Sequence, residues 1–310
     1  MTAPAPPRPV AGGRPPETGR LGAVSLLAAP VGVLGAMLVV PLVVIVANSL
    51  VRGAPGVVGG WPPTVAVYAD VLGDPRVLAV LGRTLLLAAA ATTCAVLVAY
   101  PIALVIVTTP ARAVRACCTI AALTPLLVSV VLRTFGWQVL LGAGGPVAAL
   151  LTALLGPRWL LGLVGTDTAT VIGLTHMLVP FVLLGLLPAL DRIDPNVLRA
   201  ADTLGASRLR IFWRVVVPLS RPGLVAGVLL GFAMGATAYV TPALLGGQAN
   251  PVFASLVYER NFVAFDWNTG AALSVVLLAV VVLSSTAIGR LARPPRHRRG
   301  APRASVARRR

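Results

Sequence analysis

Few side chains in this sequence could carry out acid–base or covalent chemistry. Its 310 residues include nine Asp and Glu, two His, three Cys and no Lys. The close acidic pairs, Asp70/Asp74 and Asp191/Asp194, both lie in polar stretches typical of a loop or a helix cap. A phosphate-binding Walker A loop requires a Lys. The sequence therefore predicts no catalytic residue, no nucleotide-binding site and no cofactor held by this chain.

The cysteines do not form a metal-binding pattern. Cys94, Cys117 and Cys118 lie in or beside apolar runs. They lack the spacing of metal ligands and the even number of a disulfide framework. We interpret them as small buried hydrophobic side chains and predict no metal site.

Two ionisable side chains, Arg133 and His176, lie well inside long apolar runs. If those runs cross a membrane, a charged group there costs at least about 2.5 kcal/mol, so it usually faces a bundle interior or a cavity. The helical rise places both residues in the outer half of their spans, where they could line a solute path. Alternatively, Arg133 reaches the outer headgroups beside Trp137, and His176 hydrogen-bonds a neighbouring helix.

The apolar runs are long enough to cross a membrane. The chain is 57% apolar and 11% charged, with a mean hydropathy of +0.90, unlike any ordinary soluble domain. An apolar stretch at 147–165 is not counted as a span, because Gly156, Pro157 and Arg158 cut it into pieces too short to cross about 30 Å. We therefore predict an all-α, polytopic membrane protein with six transmembrane helices. These are Ala23–Leu50, Arg83–Thr109, Cys117–Leu141, Asp167–Leu190, Leu224–Leu245 and Thr269–Ile288.

The arginines predict the orientation of the spans. Of the 26 basic residues, all of them Arg, 20 fall on the side of both termini and five on the other side, with Arg133 inside a span. The positive-inside rule places the richer side in the cytoplasm. It also explains the pI near 11.7 without a nucleic-acid partner. We predict a disordered cytoplasmic tail at 1–22, a membrane domain at 23–290 and a basic cytoplasmic tail at 291–310 facing anionic lipids.

One polar stretch between two apolar runs, residues 191–223, carries a series of helix signals; we call it the Arg-rich segment. Asp194 can cap a helix and Pro195 suits its first position. Gly205 can end that helix in a left-handed conformation, and Ser207 can start a second helix. Pro218 and Pro222 are expected to break this pattern before the next span. Two short amphipathic helices between spans are typical of a docking site for a soluble partner.

The same segment resembles the "EAA" loop of bacterial ABC-importer permeases. Ala200, Ala201, Gly205 and Pro218 stand at the spacing of that motif, and Arg199 stands where the family has an acidic residue. The resemblance implies an ABC transporter type-1 transmembrane domain with its core at about 79–287. It also implies a set of residues that couple the chain to an ATPase. They are Arg199, Ala200, Ala201, Asp202, Leu204, Gly205, Ala206, Val217 and Pro218.

Three further stretches resemble the spermidine/putrescine-type branch of these permeases. They read LRTFGW at 132–137, GLTH at 173–176 and YVTPALLGG at 239–247. Together with the Arg-rich segment, the likeness runs from about residue 68 to residue 290. It implies a translocation path near Arg133, His176, Tyr239 and Thr241.

The resemblance implies a permease subunit of an ATP-driven importer in the bacterial inner membrane. Its implied partners are a cytoplasmic ABC ATPase dimer that uses the ATP, a second and different permease subunit, and an external solute-binding protein. A polyamine is the solute that the branch suggests, and another small polar solute is the alternative. A secondary transporter driven by an ion gradient is a further alternative, whereas an enzyme is disfavoured by the missing chemical groups.

Overall fold

The computed structural model describes residues 18–53, 56–57, 60, 62–157, 161–247 and 250–292. Every regular element within these ranges is helical, so the prediction of an all-α protein is confirmed. Most of the two predicted tails, 1–17 and 293–310, lies outside the described residues. The first helix begins at Thr18, inside the stretch predicted to be a disordered tail.

Thirteen α-helices are present in the described residues. We number them α1 Thr18–Ser49, α2 Ala66–Gly73, α3 Pro75–Thr108, α4 Arg112–Leu127, α5 Val130–Leu141, α6 Pro146–Leu155, α7 Asp167–Asp191, α8 Pro195–Thr203, α9 Arg208–Ile211, α10 Val217–Ala236, α11 Val240–Leu245, α12 Phe253–Tyr258 and α13 Trp267–Leu291. Two π-helical turns, Phe212–Val216 and Glu259–Val263, continue α9 into α10 and extend α12.

Six helical stretches are long and apolar enough to cross a membrane, as predicted. They are Pro30–Ser49, Pro75–Thr108, Val130–Leu155, Asp167–Asp191, Arg208–Ala236 and Trp267–Leu291. The third stretch contains a turn at 142–145 that separates α5 from α6. Because α6 has ten residues, it is about 15 Å long and cannot span a membrane by itself. It folds back, so that Val147 and Leu151 pack beside Trp137 and Leu141.

The third span was predicted as one helix over Cys117–Leu141, and this is wrong. The backbone is extended at Val128, so the span is divided into α4 and α5. Pro125 lies just before the division. A proline inside a helix clashes with the carbonyl four residues earlier and removes one hydrogen bond, which favours a local break.

The predicted break at Pro218 and Pro222 is also wrong. The helix that starts at Arg208 runs to Ala236, and the fifth span therefore ends nine residues before the predicted Leu245. The amide of Val217 donates to the carbonyl of Phe212, five residues earlier. This wider π turn just before Pro218 opens the hydrogen-bond ladder where the proline ring would otherwise clash. The second helix of the Arg-rich segment is thus continuous with a membrane span.

Small residues hold α3, α7 and α10 together as the core of the bundle. A Cβ atom on Gly227 would lie 2.8 Å from the Val182 carbonyl oxygen, and one on Gly185 would lie 2.5 Å from the Gly227 amide nitrogen. Helices in lipid associate through such close van der Waals packing. On α10 the small residues are Gly223, Gly227, Gly231 and Gly235, and on α3 the buried ones include Ala88, Ala91, Ala95, Ala99 and Ala103.

The bundle has two ends. Because the spans alternate in direction, the ends of α3 and α7, the start of α9 and the end of α13 lie with the Arg-rich segment; we call this the Arg-rich end. The other end carries α2, α6, α11 and α12 and is called the opposite end.

Candidate functional site

The first helix of the Arg-rich segment is fixed by the predicted local signals. The carboxylate of Asp194 accepts a hydrogen bond from the amide of Asn196 at 2.8 Å, and Pro195 is the first helical residue. Gly205 has a φ of +76° and follows the end of α8. The amide of Ala206 then donates to the carbonyl of Ala201 at 3.2 Å, which closes the helix end. The predicted helix start and glycine end are confirmed.

Several large apolar side chains of the Arg-rich segment are not covered by the described chain. Leu204 is 88% exposed, and Leu209 and Trp213 are more than half exposed. Val197 is also exposed, whereas Ala201 is half-buried. We call Val197, Leu204, Leu209 and Trp213 the apolar ridge. An exposed apolar ridge of this kind is typical of a surface that another molecule covers.

Charged side chains lie beside the apolar ridge. Arg199 and Asp202 on α8 are exposed, as are the arginines that follow Ser207. No carboxylate in the described ranges lies within 4 Å of a guanidinium of this segment. These cations, Arg208, Arg210 and Arg214, are therefore available to acidic groups of a partner or to lipid headgroups.

Three side chains connect the Arg-rich segment to the core, and sequence reasoning missed two of them. Phe212, in the π turn, meets the ring of Tyr100 edge-on at a centroid distance of 5.4 Å. The hydroxyl groups of Tyr100 and Ser220 are 2.6 Å apart and buried. Tyr100 and Ser220 could have been suspected, since a hydroxyl inside an apolar span needs a hydrogen-bond partner. The contact joins α3 to α10.

Arg133 and His176 lie together, as the predicted path requires. Both line a small cleft of about 200 Å³, and both are half-buried. The Nη1 of Arg133 donates to the Pro125 carbonyl at 2.6 Å. That carbonyl is one of the last of α4, which have no amide partner within their own helix. Arg133 therefore bridges the division between α4 and α5.

His176 is held by an aromatic neighbour on another helix. The Nε1 of Trp137, on α5, donates to the Nδ1 of His176, on α7, at 3.1 Å. The two rings meet at a steep angle with centroids 5.6 Å apart. This arrangement agrees with the alternative in which His176 hydrogen-bonds a neighbouring helix.

The other two predicted path residues lie in separate contacts. Thr241 is 2% exposed, and its hydroxyl is 3.2 Å from that of Thr134 on α5. Tyr239 stacks on Tyr258 with a centroid distance of 4.7 Å. The structure thus places Arg133 and His176 at one cleft, and Tyr239 and Thr241 against other partners.

Arg83, the first residue of the second predicted span, links several elements at the opposite end. Arg83, near the start of α3, pairs with Asp167 at the start of α7. Its Nη1 also donates to the Pro251 carbonyl at 2.7 Å. One side chain thereby links α3, α7 and the chain leading into α12.

The described part of the chain contains no group of three His, Cys, Asp or Glu residues placed to hold a metal ion. The three cysteines are free thiols, but the prediction that they are buried is wrong, since Cys117 is exposed and Cys94 and Cys118 are half-buried.

The family comparison decides what kind of protein this bundle is. Residues 91–294 match the family described as "Binding-protein-dependent transport system inner membrane component". The chain belongs to this family. It is therefore a permease subunit of a binding-protein-dependent ABC importer, a multi-pass inner-membrane component rather than an enzyme. The resemblance drawn from the sequence is confirmed, and the secondary-transporter alternative is set aside.

Two kinds of relative support this assignment. The permease is 30% identical over 216 residues to the spermidine/putrescine transport system permease protein PotB of Salmonella typhimurium, covering 70% of this chain and 75% of that one. Solved structures share its fold. A bacterial ABC transporter that imports the acidic polysaccharide alginate matches with a TM-score of 0.67 at 14% identity, over 89% of this chain and 97% of that one. A bacterial alginate transporter in complex with its periplasmic protein matches with a TM-score of 0.66 at 13% identity, over the same shares.

Proposed function

We propose that this permease carries a polyamine such as putrescine or spermidine, and that its Arg-rich segment docks on a cytoplasmic ABC ATPase. The apolar ridge is the observation that carries the docking proposal, because it is exposed and connected to the core through Phe212. The PotB relatives support the substrate class. The alginate importers have the same fold and another substrate, so the fold alone does not select the solute.

In this proposal the Arg-rich end faces the cytoplasm. The 20-to-5 distribution of arginines favours that orientation. The ATPase covers Leu204, Leu209 and Trp213, and its motion on ATP binding moves α9. Because α9 continues through the π turn into α10, the motion enters the membrane without passing through a loop.

The partners follow from the same geometry. One Arg-rich segment per chain engages one ATPase, so an ATPase dimer requires a second permease, which we propose to be a different chain. We propose that this second permease packs partly against α1, where an 18-residue window within Pro30–Ser49 has no buried residue. An external binding protein delivers the solute, as the family description implies.

Selectivity is proposed to lie mainly in the binding protein. The described spans present Arg133 and His176 toward the cleft near the division of α4 and α5, and these groups do not attract a polyamine. The aromatic pair Tyr239 and Tyr258 offers ring faces that could contact an ammonium group. The permease would then pass a solute already selected outside the membrane.

The substrate proposal is tested with the complete importer reconstituted in nanodiscs. Binding protein loaded with putrescine or spermidine should stimulate ATP hydrolysis above the rate obtained with unloaded binding protein. Binding protein loaded with another small polar solute serves as the control. Stimulation by that solute alone would contradict the polyamine assignment and leave the ABC-importer class intact.

A further inference from the structure

A cleft of about 940 Å³ opens between α10 and α13 at the Arg-rich end. Arg221 of α10 and Arg290 of α13 are exposed and both line it. Most of the other lining side chains are apolar, among them Val225 and Leu229. The cleft thus combines two positive charges with an apolar wall that continues into the membrane.

The packing of α10 explains why this space is left open. Its glycine face lies against α7 and α3, so the stripe formed by Arg221, Val225 and Leu229 faces elsewhere. On α13 the wall includes Gly289, where an added Cβ would meet only Leu229 Cδ1, at 3.7 Å. Nothing bulky on α13 therefore fills the groove at this level.

The charges of the cleft are not balanced by the described chain. The three ion pairs of the described residues involve Arg52, Arg83 and Arg260, and no carboxylate lines this cleft. Ser285 also lines it, and its hydroxyl has no hydrogen-bond partner in the described ranges. A cleft of about 720 Å³ at the opposite end differs, because carboxylates and guanidinium groups alternate there. Its charged lining residues are Asp70, Asp74, Glu259, Arg76 and Arg260.

We propose that the cleft between α10 and α13 binds an anionic phospholipid of the inner leaflet. The guanidinium groups of Arg221 and Arg290 pair with the headgroup phosphate, and an acyl chain lies along Val225 and Leu229. Basic pockets between membrane helices on the cytoplasmic side have this chemistry. A free phosphate would satisfy the charges and leave the apolar wall bare, whereas a lipid matches both parts. The cytoplasmic location rests on the orientation given under the proposed function.

The bound lipid would also contact the junction between the Arg-rich segment and the membrane span. Val217 and Pro218, which the family motif assigns to ATPase coupling, line the same cleft. They follow the π turn that joins α9 to α10. We infer that the lipid holds this junction in its coupled geometry, so that ATP hydrolysis stimulated by the binding protein depends on anionic lipid.

Lipid retention tests the site directly. The complete importer, extracted from membranes and analysed by native mass spectrometry, should retain phosphatidylglycerol in preference to phosphatidylcholine supplied at equal concentration. The double variant Arg221→Gln/Arg290→Gln should retain about 30-fold less, since each arginine near the surface contributes about 1 kcal/mol, which is about fivefold in affinity. The matched control Arg112→Gln/Arg115→Gln removes two arginines from the same end without touching the cleft. Equal retention by wild type and the cleft variant would overturn the site.

A second variant tests the apolar wall without changing charge. Gly289→Leu should fill the groove beside Leu229 and lower phosphatidylglycerol retention, whereas Gly82→Leu should not. Gly82 is an exposed helical glycine whose added Cβ would meet no atom within 4 Å. Displacement of the lipid by millimolar inorganic phosphate would show a small-anion site and overturn the lipid proposal.

Measurements of ATP hydrolysis test the proposed role of the lipid in coupling separately from the existence of the lipid site. In nanodiscs of pure phosphatidylcholine, stimulated ATP hydrolysis should fall several-fold, and the Arg221→Gln/Arg290→Gln variant should show the same low rate in both lipids. Normal retention with a lipid-independent rate would refute the role in coupling only. Failure of the ATPase to bind at all would instead contradict the proposed function, because retention does not depend on it.

Discussion

At the scale of single residues, three hydrogen bonds of polar side chains join separate parts of the bundle. Tyr100 meets Ser220, Trp137 meets His176, and Arg133 meets the Pro125 carbonyl. Water is absent from the bilayer core, so an unsatisfied polar group there is costly. Sequence reasoning selected Arg133 and His176 because a charge in an apolar run is conspicuous. It could not find their partners, which depend on how distant helices face one another.

The pair formed by Tyr100 and Ser220 should contribute measurably to stability. Tyr100→Phe keeps the ring against Phe212 and removes the hydrogen bond, so it should lower the free energy of unfolding by about 1 kcal/mol. Ser220→Ala should cost a similar amount. Unfolding in increasing SDS measures the free energy of unfolding of both variants. The double variant should have nearly the same free energy of unfolding as either single variant, within a few tenths of a kcal/mol. Full additivity would show that the two hydroxyl groups do not interact.

At the scale of elements, the start and end of α8 were predictable and the limits of two spans were not. Asp194, Pro195 and Gly205 act on backbone groups next to them, so a short stretch of sequence contains the whole cause. The effect of Pro218 depends on a π turn, and α10 ends at Ala236 without a glycine or proline directly after it to mark the end. The π turn and the end of α10 cannot be predicted from a short stretch of sequence, because they depend on contacts with other helices. The glycine repeat of α10 is visible in the sequence, but the helices that it contacts are not.

Gly205, whose backbone has a left-handed conformation, should control docking of the ATPase. Gly205→Val should cost roughly 1–2 kcal/mol locally, because φ is +76° there, and should redirect α9. An added Cβ would meet no atom within 4 Å, so the effect is conformational. We expect normal membrane insertion and pairing with the second permease, with loss of ATPase co-purification and of uptake. Gly205→Asn is the matched control, since Asn tolerates this conformation.

Two substitutions on α8 test which of its faces contacts the ATPase. Ala201→Glu should also lose the ATPase, because it places a charge on the half-buried face of α8, while Arg199→Ala should be mild since that side chain is exposed. If Gly205→Val kept its ATPase and full transport, the Arg-rich segment would not be the coupling element.

The glycine repeat should be essential for the core. Gly227→Leu places a side chain where a Cβ alone would lie 2.8 Å from the Val182 carbonyl, so α7 and α10 would have to separate. We expect a large loss of folded protein in membranes, measured by size-exclusion chromatography after mild solubilisation. Gly32→Leu on α1 is the control, because no atom lies within 4 Å of the added Cβ. A Gly227→Leu protein with wild-type yield would show that close packing here is dispensable.

At the scale of the whole molecule, the two ends of the bundle differ in charge. At the opposite end Arg52, Arg83 and Arg260 pair with carboxylates, whereas the Arg-rich end leaves exposed guanidinium groups without carboxylate partners in the described ranges. Composition and the lengths of the apolar runs predicted the six membrane-spanning stretches well, since these properties are summed over many residues. They did not predict Arg83 as a link between helices, because its partners are 84 and 168 residues away.

Orientation can be tested by labelling. Single cysteines in a cysteine-free background should react with a membrane-impermeant maleimide at Gly60 in intact cells. At Ser207 the reaction should occur only after the inner face is exposed, because the arginine distribution places that residue in the cytoplasm. Labelling of position 207 from outside would overturn the six-span topology.

The unbroken helix from Arg208 to Ala236 has a mechanical consequence. Its 29 residues make a rod of about 43 Å. With the hydrogen bond between Tyr100 and Ser220 as fulcrum, the rod has arms of about 18 Å toward Arg208 and about 24 Å toward Ala236. A push on the short arm would therefore appear at the far end reversed in direction and about a third larger.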